Sequence, residues 1–431
     1  MNNTLDLRNA DAVCALLGLS EAPEIWRRSW PQSAGSYTPG GVFFLAPEYV
    51  AETCATLRIC PELAEALAAC AASVAAEGGL ERLVWHLHWL ISWSGIDPQV
   101  GSWPALEPEG HPAKALLYGL VVLAGLPRLL EINGRRGIDP EDTIETLSDL
   151  QTWATDHLNQ RGVWRLVSLG WMQHHLRGHL FKLGRLEYIP GKYDQPFRWY
   201  RQVDSGEVIA LAEADLLLRA DGQFASADGG EVREGLWKTR FVETVENVTG
   251  SPVSPWGQVL AETVTLQSGE WLEILRPGDP VMTVHIPSKG SMGSEECGAS
   301  FRQAVAFYQR HFPEVVYRGF TCHSWLLDPQ FEQFSPPPGN ICAFLGEWYL
   351  HPVEGANDAQ AFQRMFDLFG PYGQVRWGEV EAKTSLQRAA VEYVAAGGHP
   401  RCGGSVLFAE DLDWGKAVYR NERKADLIQG P

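Results

Sequence analysis

The sequence predicts an α+β protein: an all-helical N-terminal domain over residues 1–185, then a mixed α/β domain over residues 186–431 in which helices flank a β-sheet. A chain of 431 residues exceeds what one hydrophobic core normally supports, so two domains are expected. Nearly every segment before Arg185 has apolar residues at helical spacing. After Gly184 the pattern changes to short β-branched and alternating runs, which are typical of strands.

Prolines and glycines mark the limits of the predicted helices in the first domain. Pro47 and Pro61 stand where a first-turn proline is tolerated, and Gly134 and Gly162 stand where helices commonly end. These limits predict helices over Leu5–Leu17, Pro47–Ile59, Pro61–Ala76, Leu80–Trp93, Pro112–Asn133, Glu141–Gln160 and Val163–Leu183.

Period-two runs separated by turns that contain Gly and Asp predict the strands of the second domain. They cover Leu186–Ile189, Phe197–Gln202, Glu207–Leu211, Ala214–Leu218, Thr239–Val245, Val259–Leu266 and Trp271–Leu275. Nearer the C-terminus, a strand is expected over Asn340–Pro352, helices over Ala359–Phe369 and Ser385–Ala396, and a late strand over Gly404–Phe408. This order of elements indicates a mixed sheet.

The most informative stretch runs from Asp279 to Leu327. A β-branched strand is predicted over Val281–Ile286, and a second apolar strand over Val315–Trp325. Between them, a loop rich in Gly and Ser leads into a helix that opens at Glu295 with Ser294 as its N-cap. A helix between two strands is a βαβ unit, and a Gly-rich loop that enters a helix offers backbone N–H groups to an anion.

Several motifs in the second half of the chain resemble a known family. They are GSPVSPWGQV, GEWLEIL, GDPVMTVHIPSKGSM, CHSWLLDP and NICAFLGEWYLHP. Together they resemble the bacterial GNAT-type N-acyltransferases, which carry a helical N-terminal domain and a GNAT-like C-terminal domain. The resemblance covers most of the chain. It implies transfer of an acyl group from an acyl thioester, carried by CoA or by a carrier protein, to a primary amine of a small molecule, with no metal and no covalent intermediate.

The same resemblance implies where the donor binds. In GNAT-type folds the acyl-CoA pyrophosphate lies on the loop between the fourth strand and the next helix, and the acyl group enters where the fourth and fifth strands separate. Residues 281–325 would be that region here. The implied donor-binding residues are Ile286, Lys289, Gly290, Ser291, Met292, Gly293 and Ser294.

Attack of an amine on a thioester requires the amine to lose a proton, so a general base is sought near the implied donor site. His323 is the first candidate, because imidazole titrates near neutral pH. His285 is a candidate for orienting the acyl carbonyl, and Glu347 for binding the acceptor ammonium or orienting His323. Cys322 is a candidate proton donor, expected on the strand face opposite His323. A packing role stays open for each of the four.

Two other functions stay open. The family's usual tyrosine on the helix after the fifth strand is absent, so a noncatalytic module that binds a thioester or another ligand is one alternative. The other is a Cys-His acyl hydrolase or transferase. Cys297, in the first turn of the loop helix, is expected to have its thiol pKa lowered by the helix dipole, and Cys322 is the alternative nucleophile.

Composition limits the expected partners and location. A formal charge of −18 opposes binding to nucleic acid or to an anionic membrane, because such contacts require clustered Lys and Arg. The eight cysteines show no C-x-x-C spacing, which favours free thiols in a reducing cytoplasm. We expect no leader and no membrane span, since no basic segment and apolar run open the sequence and the longest apolar run, Ala115–Leu126, is too short.

Two histidine clusters invite a metal interpretation. They are His86 with His88, and His174 with His175 and His179. Only His175 and His179 are spaced to share a helix face, and no carboxylate or cysteine accompanies them at ligand spacing. The sequence therefore predicts a structural or domain-interface role for these histidines, and no metal.

Overall fold

The chain divides into two compact units, Met1–Lys182 and Leu183–Pro431. The structure is a computed structural model that describes residues 9–16, 18–19, 21–104, 115–229, 234–288, 290–335, 339–366, 368 and 376–420. The division falls three residues before the boundary expected from the change of sequence pattern at Arg185.

Helices build the first unit up to Leu176, which confirms the predicted all-helical domain. Two predicted helices are wrong in extent. Glu141–Gln160 is two helices that meet at Ser148, and Val163–Leu183 is a shorter helix followed by a strand. The helices are α1 Ala10–Leu16, α2 Glu24–Ala34, α3 Pro47–Thr56, α4 Pro61–Ala75, α5 Gly78–Ser92, α6 Leu117–Arg135, α7 Pro140–Leu147, α8 Asp149–Arg161 and α9 Leu169–Leu176.

Helix α6 lies at the centre of this unit. It contacts α3, α4, α5, α7 and α9, and its segment Leu120–Leu123 is fully buried. By length and hydropathy α6 is able to cross a membrane, but 61% of its apolar window is buried inside the unit, as in the core helix of a globular domain. The apolar run Leu117–Leu126 is buried on all sides, whereas Arg128, Glu131 and Arg135 give the C-terminal part of the helix a polar face.

Two larger β-sheets and one short strand pair build the second unit, which confirms the predicted α+β class. The strands are β1 Phe181–Leu183, β2 Leu186–Lys192, β3 Phe197–Gln202, β4 Val208–Ala212, β5 Leu217–Leu218, β6 Trp237–Lys238, β7 Phe241–Glu243, β8 Asn247–Ser254, β9 Gln258–Val259, β10 Val264–Gln267, β11 Trp271–Leu275, β12 Pro280–His285, β13 Gly319–Ser324, β14 Tyr349–His351 and β15 Gly403–Phe408. The helices are α10 Ser294–His311, α11 Phe331–Phe334, α12 Asn340–Gly346, α13 Ala359–Phe366 and α14 Ser385–Ala395.

The six-stranded sheet has the order β1-β2-β12-β13-β15-β14. Its neighbours are antiparallel wherever their register is defined, except β12 and β13, which run parallel and are joined through α10. The second sheet has the antiparallel order β10-β8-β4-β3-β11, with β7 and β9 also paired to β8. The predicted βαβ unit is confirmed, and it supplies the only parallel pair among the described strands of the six-stranded sheet.

Three sequence predictions in the second unit are wrong. The predicted strand Val259–Leu266 is two short strands, β9 and β10, with no strand over residues 260–263. The segment Asn340–Pro352 is not one strand: it forms α12 and then the short strand β14. The apolar run is short enough to suit either structure, and the helix buries Phe344 and Leu345 on one side. The N-cap of α10 is Gly293, and Ser294 is the first helical residue, so the helix begins one residue earlier than predicted.

Helix α10 lies on one face of the six-stranded sheet. The Ser300 hydroxyl lies 2.9 Å from the Tyr188 hydroxyl, and the Tyr308 hydroxyl donates to the Tyr188 carbonyl at 3.1 Å. The ring of Phe301 packs edge to face on Phe320 with centroids 5.0 Å apart. These contacts hold α10 against β2 and β13, so the helix starts beside the loop that follows β12.

The opposite face of this sheet packs on the second sheet through aromatic side chains. The ring of Trp199, on β3, lies 4.9 Å from Tyr349 and 5.9 Å from Phe408, measured between centroids. The Tyr349 hydroxyl donates to the Val253 carbonyl of β8. The two sheets therefore form a packed sandwich on the side away from α10.

We expect Gly403→Ala to destabilise the second unit by about 1–3 kcal/mol, because overpacking a filled site forces the backbone to shift. A side-chain carbon at Gly403 would lie 2.0 Å from the Leu327 carbonyl oxygen. Urea unfolding followed by tryptophan fluorescence measures the effect. Gly346→Ala is the matched control, since a carbon there meets no atom within 4 Å; equal unfolding free energies for the two variants would contradict the prediction.

Candidate active site

The parallel strands β12 and β13 separate within the sheet. Their register ends at Thr283 and Thr321, although β12 continues to His285 and β13 to Ser324. On their outer sides both strands stay paired to these ends, β12 with β2 and β13 with β15. The two strand ends therefore border a V-shaped opening, next to the loop that leads into α10.

The two faces of this opening carry different side chains. Phe320 contacts Phe301 of α10, so Cys322, two residues later, faces α10 as well. His323 lies on the opposite face, as predicted from strand alternation. His285 lies on that face too, because it stands two positions beyond the last paired residue of β12. The structure thus brings His285 and His323 to the same face of the opening, one on each strand.

His323 has an exposed side chain near the end of β13. Its ring meets that of His351 edge to face, with centroids 5.8 Å apart. Desolvation by the surrounding protein lowers the pKa of His323 below its ordinary value of 6.5, and the negative charge of Asp194 opposes that shift. The imidazole is therefore mostly neutral at pH 7, which is the form that accepts a proton.

His351 is a neighbour of His323 that sequence reasoning missed. Gly404 of β15 pairs with both histidines, and a side-chain carbon there would lie 2.1 Å from the His351 ring. Glycine at this position therefore leaves the space in which the two imidazoles meet. His351 is 1% exposed, its Nδ1 lies 3.0 Å from the Pro352 carbonyl, and burial lowers its pKa to about 3. In the sequence, His351 belongs to the YLHP run. It was not selected as a site residue because the whole segment Asn340–Pro352 was predicted as a single strand.

The predicted donor loop connects β12 to α10. Gly290 has φ 101°, a left-handed conformation that side chains disfavour, so glycine suits this position. The N-cap of α10 is Gly293, which has no side chain to accept from the first N–H groups of the helix, so a ligand could bond them. Of the other predicted residues, Met292 is buried, Ser291 is exposed, Ile286, Gly293 and Ser294 are half-buried, and Lys289 lies outside the described residues.

Arg185 holds this loop in place by hydrogen bonds to its carbonyl groups, a role that the sequence did not reveal. Its Nε donates to the Ser291 carbonyl at 2.7 Å, and its Nη2 donates to the carbonyls of Pro287 at 3.1 Å and Gly290 at 3.3 Å. Its Nη1 has no hydrogen-bond partner among the described residues. The guanidinium thus fixes the loop and places a positive charge beside it. The contact joins positions about a hundred residues apart, which no local pattern can show.

Two family descriptions match the sequence. The N-acyltransferase N-terminal domain matches residues 48–178, and the GNAT-like C-terminal domain matches residues 180–407, more than half of the 431 residues. The chain belongs to this GNAT-like family. The resemblance that the motifs suggested is therefore confirmed, and the opening between β12 and β13 is the feature of this GNAT-like domain in which a thioester would be sought.

Solved acyltransferase structures share the fold. One is an acyltransferase mutant in complex with octanoyl-CoA, with a TM-score of 0.61, 20% identity, and coverage of 92% of this chain and 98% of that one. Another is an acyltransferase in complex with decanoyl-CoA and teicoplanin, with a TM-score of 0.60, 20% identity, and coverage of 93% and 99%. No curated protein matches the sequence. At such identities, the likeness establishes the fold of this GNAT-like protein.

Glu347 does not lie in a strand of the GNAT-like domain, contrary to the sequence prediction: it follows α12 as its C-cap. Its carboxylate accepts the Gly415 N–H at 2.9 Å and is bonded by the N–H groups of Lys416 and Ala417. Burial raises the pKa of Glu347, and these N–H bonds oppose the shift. The Glu347 carboxylate, which was selected because it lies in an apolar run, therefore anchors the C-terminal segment.

The thiols of the GNAT-like domain do not have the properties of nucleophiles. Burial raises the pKa of Cys297 to about 11 and that of Cys322 to about 12. The expectation that the helix dipole lowers the pKa of Cys297 is wrong, because desolvation of a fully buried thiol outweighs it. Both groups are protonated at neutral pH, which disfavours the Cys-His mechanism.

The histidine clusters of the N-terminal unit have protein partners. His86 has its Nδ1 2.8 Å from the Ser33 hydroxyl, and His88 accepts from the Trp93 indole at 3.2 Å. Burial lowers their pKa values to about 3 and about 4. His175 has Nε2 3.5 Å from the Asp149 carboxylate, a neighbour that its sequence spacing did not reveal. The contacts of His86 and His88 are those of core histidines.

We expect Arg185→Met to loosen the loop after β12 while the domain stays folded, because three carbonyl groups lose their donor. Amide hydrogen exchange, read by mass spectrometry on peptides that contain residues 286–294, should speed up by about tenfold, the equivalent of 1.4 kcal/mol. Arg302→Met is the matched control, since Arg302 is an exposed arginine on α10 that pairs with exposed Glu295. Equal exchange in both variants would refute the role of Arg185.

Proposed function

We propose that the protein transfers an acyl group from acyl-CoA to a primary amine of a small molecule, by direct attack of the amine on the thioester. The observation that carries this proposal is the opening between β12 and β13 beside the start of α10. Beyond Thr283 and Thr321 the two strands no longer pair with each other, which leaves room between them for a thioester. Two parts of the proposed site border this opening: the loop that would bind the donor pyrophosphate, and His323, which would take the proton from the amine.

The donor carries a pyrophosphate, whereas the protein has a formal charge of −18. Such a ligand requires local positive potential, and the start of α10 and the Arg185 guanidinium supply it. The complexes of similarly folded acyltransferases with octanoyl-CoA and decanoyl-CoA support a CoA-bound donor over a carrier protein. The loop residues predicted from sequence keep their proposed role, with Arg185 added to them.

In the proposed reaction, His323 takes a proton from the acceptor ammonium, directly or through one water. The free amine then attacks the thioester carbon, its nitrogen loses a second proton to solvent, the C–S bond breaks, and the first proton passes from the imidazolium to the leaving thiolate. Cys322 is a poor acid for this step, because its pKa of about 12 exceeds that of an ordinary thiol. His285, on the same face, is placed to orient the carbonyl, and Glu347 serves structure.

Further observations support the proposed small-molecule acceptor and the proposed location of the enzyme in the cytoplasm. Similarly folded acyltransferases were solved with teicoplanin or 10C-Teicoplanin, which supports a small-molecule acceptor. All eight cysteines of the chain are free thiols, which supports our placement of the enzyme in a reducing cytoplasm. A thermal-shift series with acyl-CoAs of increasing length identifies the acyl chain that the protein binds.

We expect His323→Ala to lower kcat by about 10²- to 10⁴-fold, the usual contribution of a general base. The loss should shrink at higher pH, where more of the acceptor is free amine. Because the protein lowers the pKa of His323, the acid limb of kcat/KM in the parent should fall below pH 6.5 and disappear in the variant. Steady-state assays from pH 5 to 9 measure both effects.

His399→Ala is the control for His323→Ala, because His399 has an exposed side chain in the same unit. It should keep the parental kcat and pH profile. If a folded His323→Ala variant keeps the parental kcat, then His323 is a packing residue and the base must be sought at His285. Circular dichroism establishes folding in each case.

We expect Gly293→Val to raise the Kd for CoA about tenfold, since 1.4 kcal/mol of lost contacts would do so. The atoms nearest to an added side-chain carbon belong to the carboxylate of Glu296, an exposed side chain, so the fold should survive while the loop changes shape. Isothermal titration with CoA measures the change. Gly378→Val, at a position with no atom within 4 Å of an added carbon, is the control. An unchanged Kd in folded Gly293→Val would remove this loop from the donor site.

A further inference from the structure

The segment that follows β15 forms a closed loop that reaches the start of α10. Its two ends are joined, because the Tyr419 hydroxyl donates to the Asp411 carboxylate at 2.7 Å and accepts the Phe408 N–H at 3.0 Å. Between these anchors, residues 412–418 leave the sheet and return to it, as in an Ω-loop. The match to the GNAT-like C-terminal domain ends at residue 407, so this 412–418 loop lies outside it.

Trp414, in the 412–418 loop, packs along the first two turns of α10. Its indole N–H donates to the Ser294 hydroxyl at 3.1 Å, and its ring stacks on Phe301 with centroids 5.0 Å apart. Gly298 lies between these two contacts, and a side-chain carbon there would come within 2.6 Å of the indole. Glycine at this position therefore leaves the space that the indole occupies on the helix.

Glu347 holds the same loop from its other side. Its buried carboxylate accepts the Gly415 N–H at 2.9 Å and is bonded by the N–H groups of Lys416 and Ala417. Ala417 has φ 46°, a left-handed conformation that residues with side chains disfavour. Such a conformation persists only where the surrounding contacts impose it. The loop next to Trp414 therefore has a defined position.

The contact with Trp414 determines how the Ser294 hydroxyl is used. An indole N–H can only donate, so the Ser294 oxygen accepts and its own O–H is left to donate. That O–H has no acceptor among the described residues. Ser294 is half-buried and begins α10, where a bound anion accepts hydrogen bonds. A hydroxyl that already accepts a hydrogen bond donates a stronger one, because successive hydrogen bonds polarise one another.

We infer that Trp414 is a positioning residue for the acyl donor: its indole N–H fixes the Ser294 hydroxyl, which then donates to the pyrophosphate of CoA. Glu347 contributes indirectly, because it holds the loop that carries Trp414. This inference rests on the proposed function, which assigns the donor pyrophosphate to the start of α10. It adds to the donor site a loop that lies beyond the GNAT-like match.

Isothermal titration of the full chain with CoA tests the two named groups. Ser294→Ala should raise the Kd for CoA by about ten- to a hundredfold, the usual effect of a hydrogen bond to a charged group. Trp414→Phe keeps an aromatic ring on Phe301 but removes the N–H. It should raise the Kd by about three- to tenfold, since one neutral hydrogen bond no longer orients the hydroxyl. An unchanged Kd in either folded variant would overturn the inference.

The double variant distinguishes positioning from packing. If Trp414 acts through the Ser294 hydroxyl, then adding Trp414→Phe to Ser294→Ala should change the Kd for CoA by less than about twofold. A purely structural effect of Trp414→Phe would appear in full in both backgrounds, and such additivity would overturn the inference. A parent protein that binds no CoA would contradict the proposed function and this inference together. A parent that binds CoA, with variants that bind it equally well, would contradict this inference alone.

Two matched controls test whether the response is specific to the start of α10. Trp377→Phe removes an indole N–H that donates to Asp358 at 2.7 Å in the same unit. Ser385→Ala replaces the serine that begins α14. Both should keep the parental Kd for CoA. Control variants that weaken CoA binding as much as Trp414→Phe and Ser294→Ala do would overturn the inference.

NMR on the parent protein gives a result that does not depend on how well a variant folds. The Nε1–H resonance of Trp414 is assigned by its loss in Trp414→Phe. Saturating CoA should shift this resonance, because a phosphate that accepts from Ser294 strengthens the bond that Ser294 accepts from the indole. An unchanged resonance at saturating CoA would overturn the inference.

Glu347→Gln tests the anchor of the loop. The amide keeps one oxygen and replaces the other by an NH₂ group, so at least one loop N–H loses its acceptor. Amide exchange in peptides that cover residues 412–418 should speed up by about tenfold, and the Kd for CoA should rise as it does in Trp414→Phe. Faster exchange with a parental Kd would separate this loop from the donor site and overturn the inference.

Discussion

The short register between β12 and β13 is the constraint on which the candidate site depends. A ladder that ends at Thr283 and Thr321 leaves the last residues of the two strands no longer paired with each other, although the strands continue side by side in the sheet. The arrangement holds because each strand stays paired on its outer side to its last residue. It is also held by α10, which lies over β2 and β13 through Ser300, Tyr308 and Phe301. The opening is therefore bordered by strands that are hydrogen-bonded on their outer sides up to their last residues.

The position of the loop follows from the same contacts. Once α10 is fixed on the sheet, the chain from β12 must reach the helix start in a few residues, and Gly290 supplies the left-handed turn that this requires. Arg185 then satisfies the loop carbonyls, so the N–H groups at the helix start are left for a ligand. Two acidic residues, Glu295 and Glu296, occupy the first turn of α10, and the Arg185 charge offsets their effect on an anion.

Local sequence predicted the elements that have a regular pattern and clear limits. Strands β3 and β11 match their predicted ranges residue for residue, and the βαβ unit matches closely. Helix α2 is missing from the prediction because Pro31 lies inside it, and β8 is missing because Gly250 and Pro252 resemble turn residues. In the structure β8 is paired on both edges, so tertiary pairing overrides these local preferences.

The site was predictable only in part, for a physical reason. His323 and His285 were found because their residue type suggests acid-base chemistry and they lie on the recognised βαβ unit. Arg185 and His351 were not found, because their roles come from contacts across the sheet: Arg185 with a loop about a hundred residues away, and His351 through the missing side chain of Gly404. Conversely, Glu347 was predicted as a site residue because it is a carboxylate in an apolar run. In the structure, this carboxylate instead accepts hydrogen bonds from the N–H groups of a distant segment.

The contrast between His323 and His351 shows how burial assigns different chemistry to the same side chain. Both rings adjoin Gly404, and the protein lowers both pKa values. His323 keeps an exposed side chain beside the charge of Asp194, so it is able to gain and release a proton within the range where enzymes work. His351 is buried with its pKa near 3, so it stays neutral and acts as a fixed acceptor. A protonated His351 would place a second positive charge next to His323 and weaken it as a base. The burial of His351 therefore supports the proton chemistry of its neighbour.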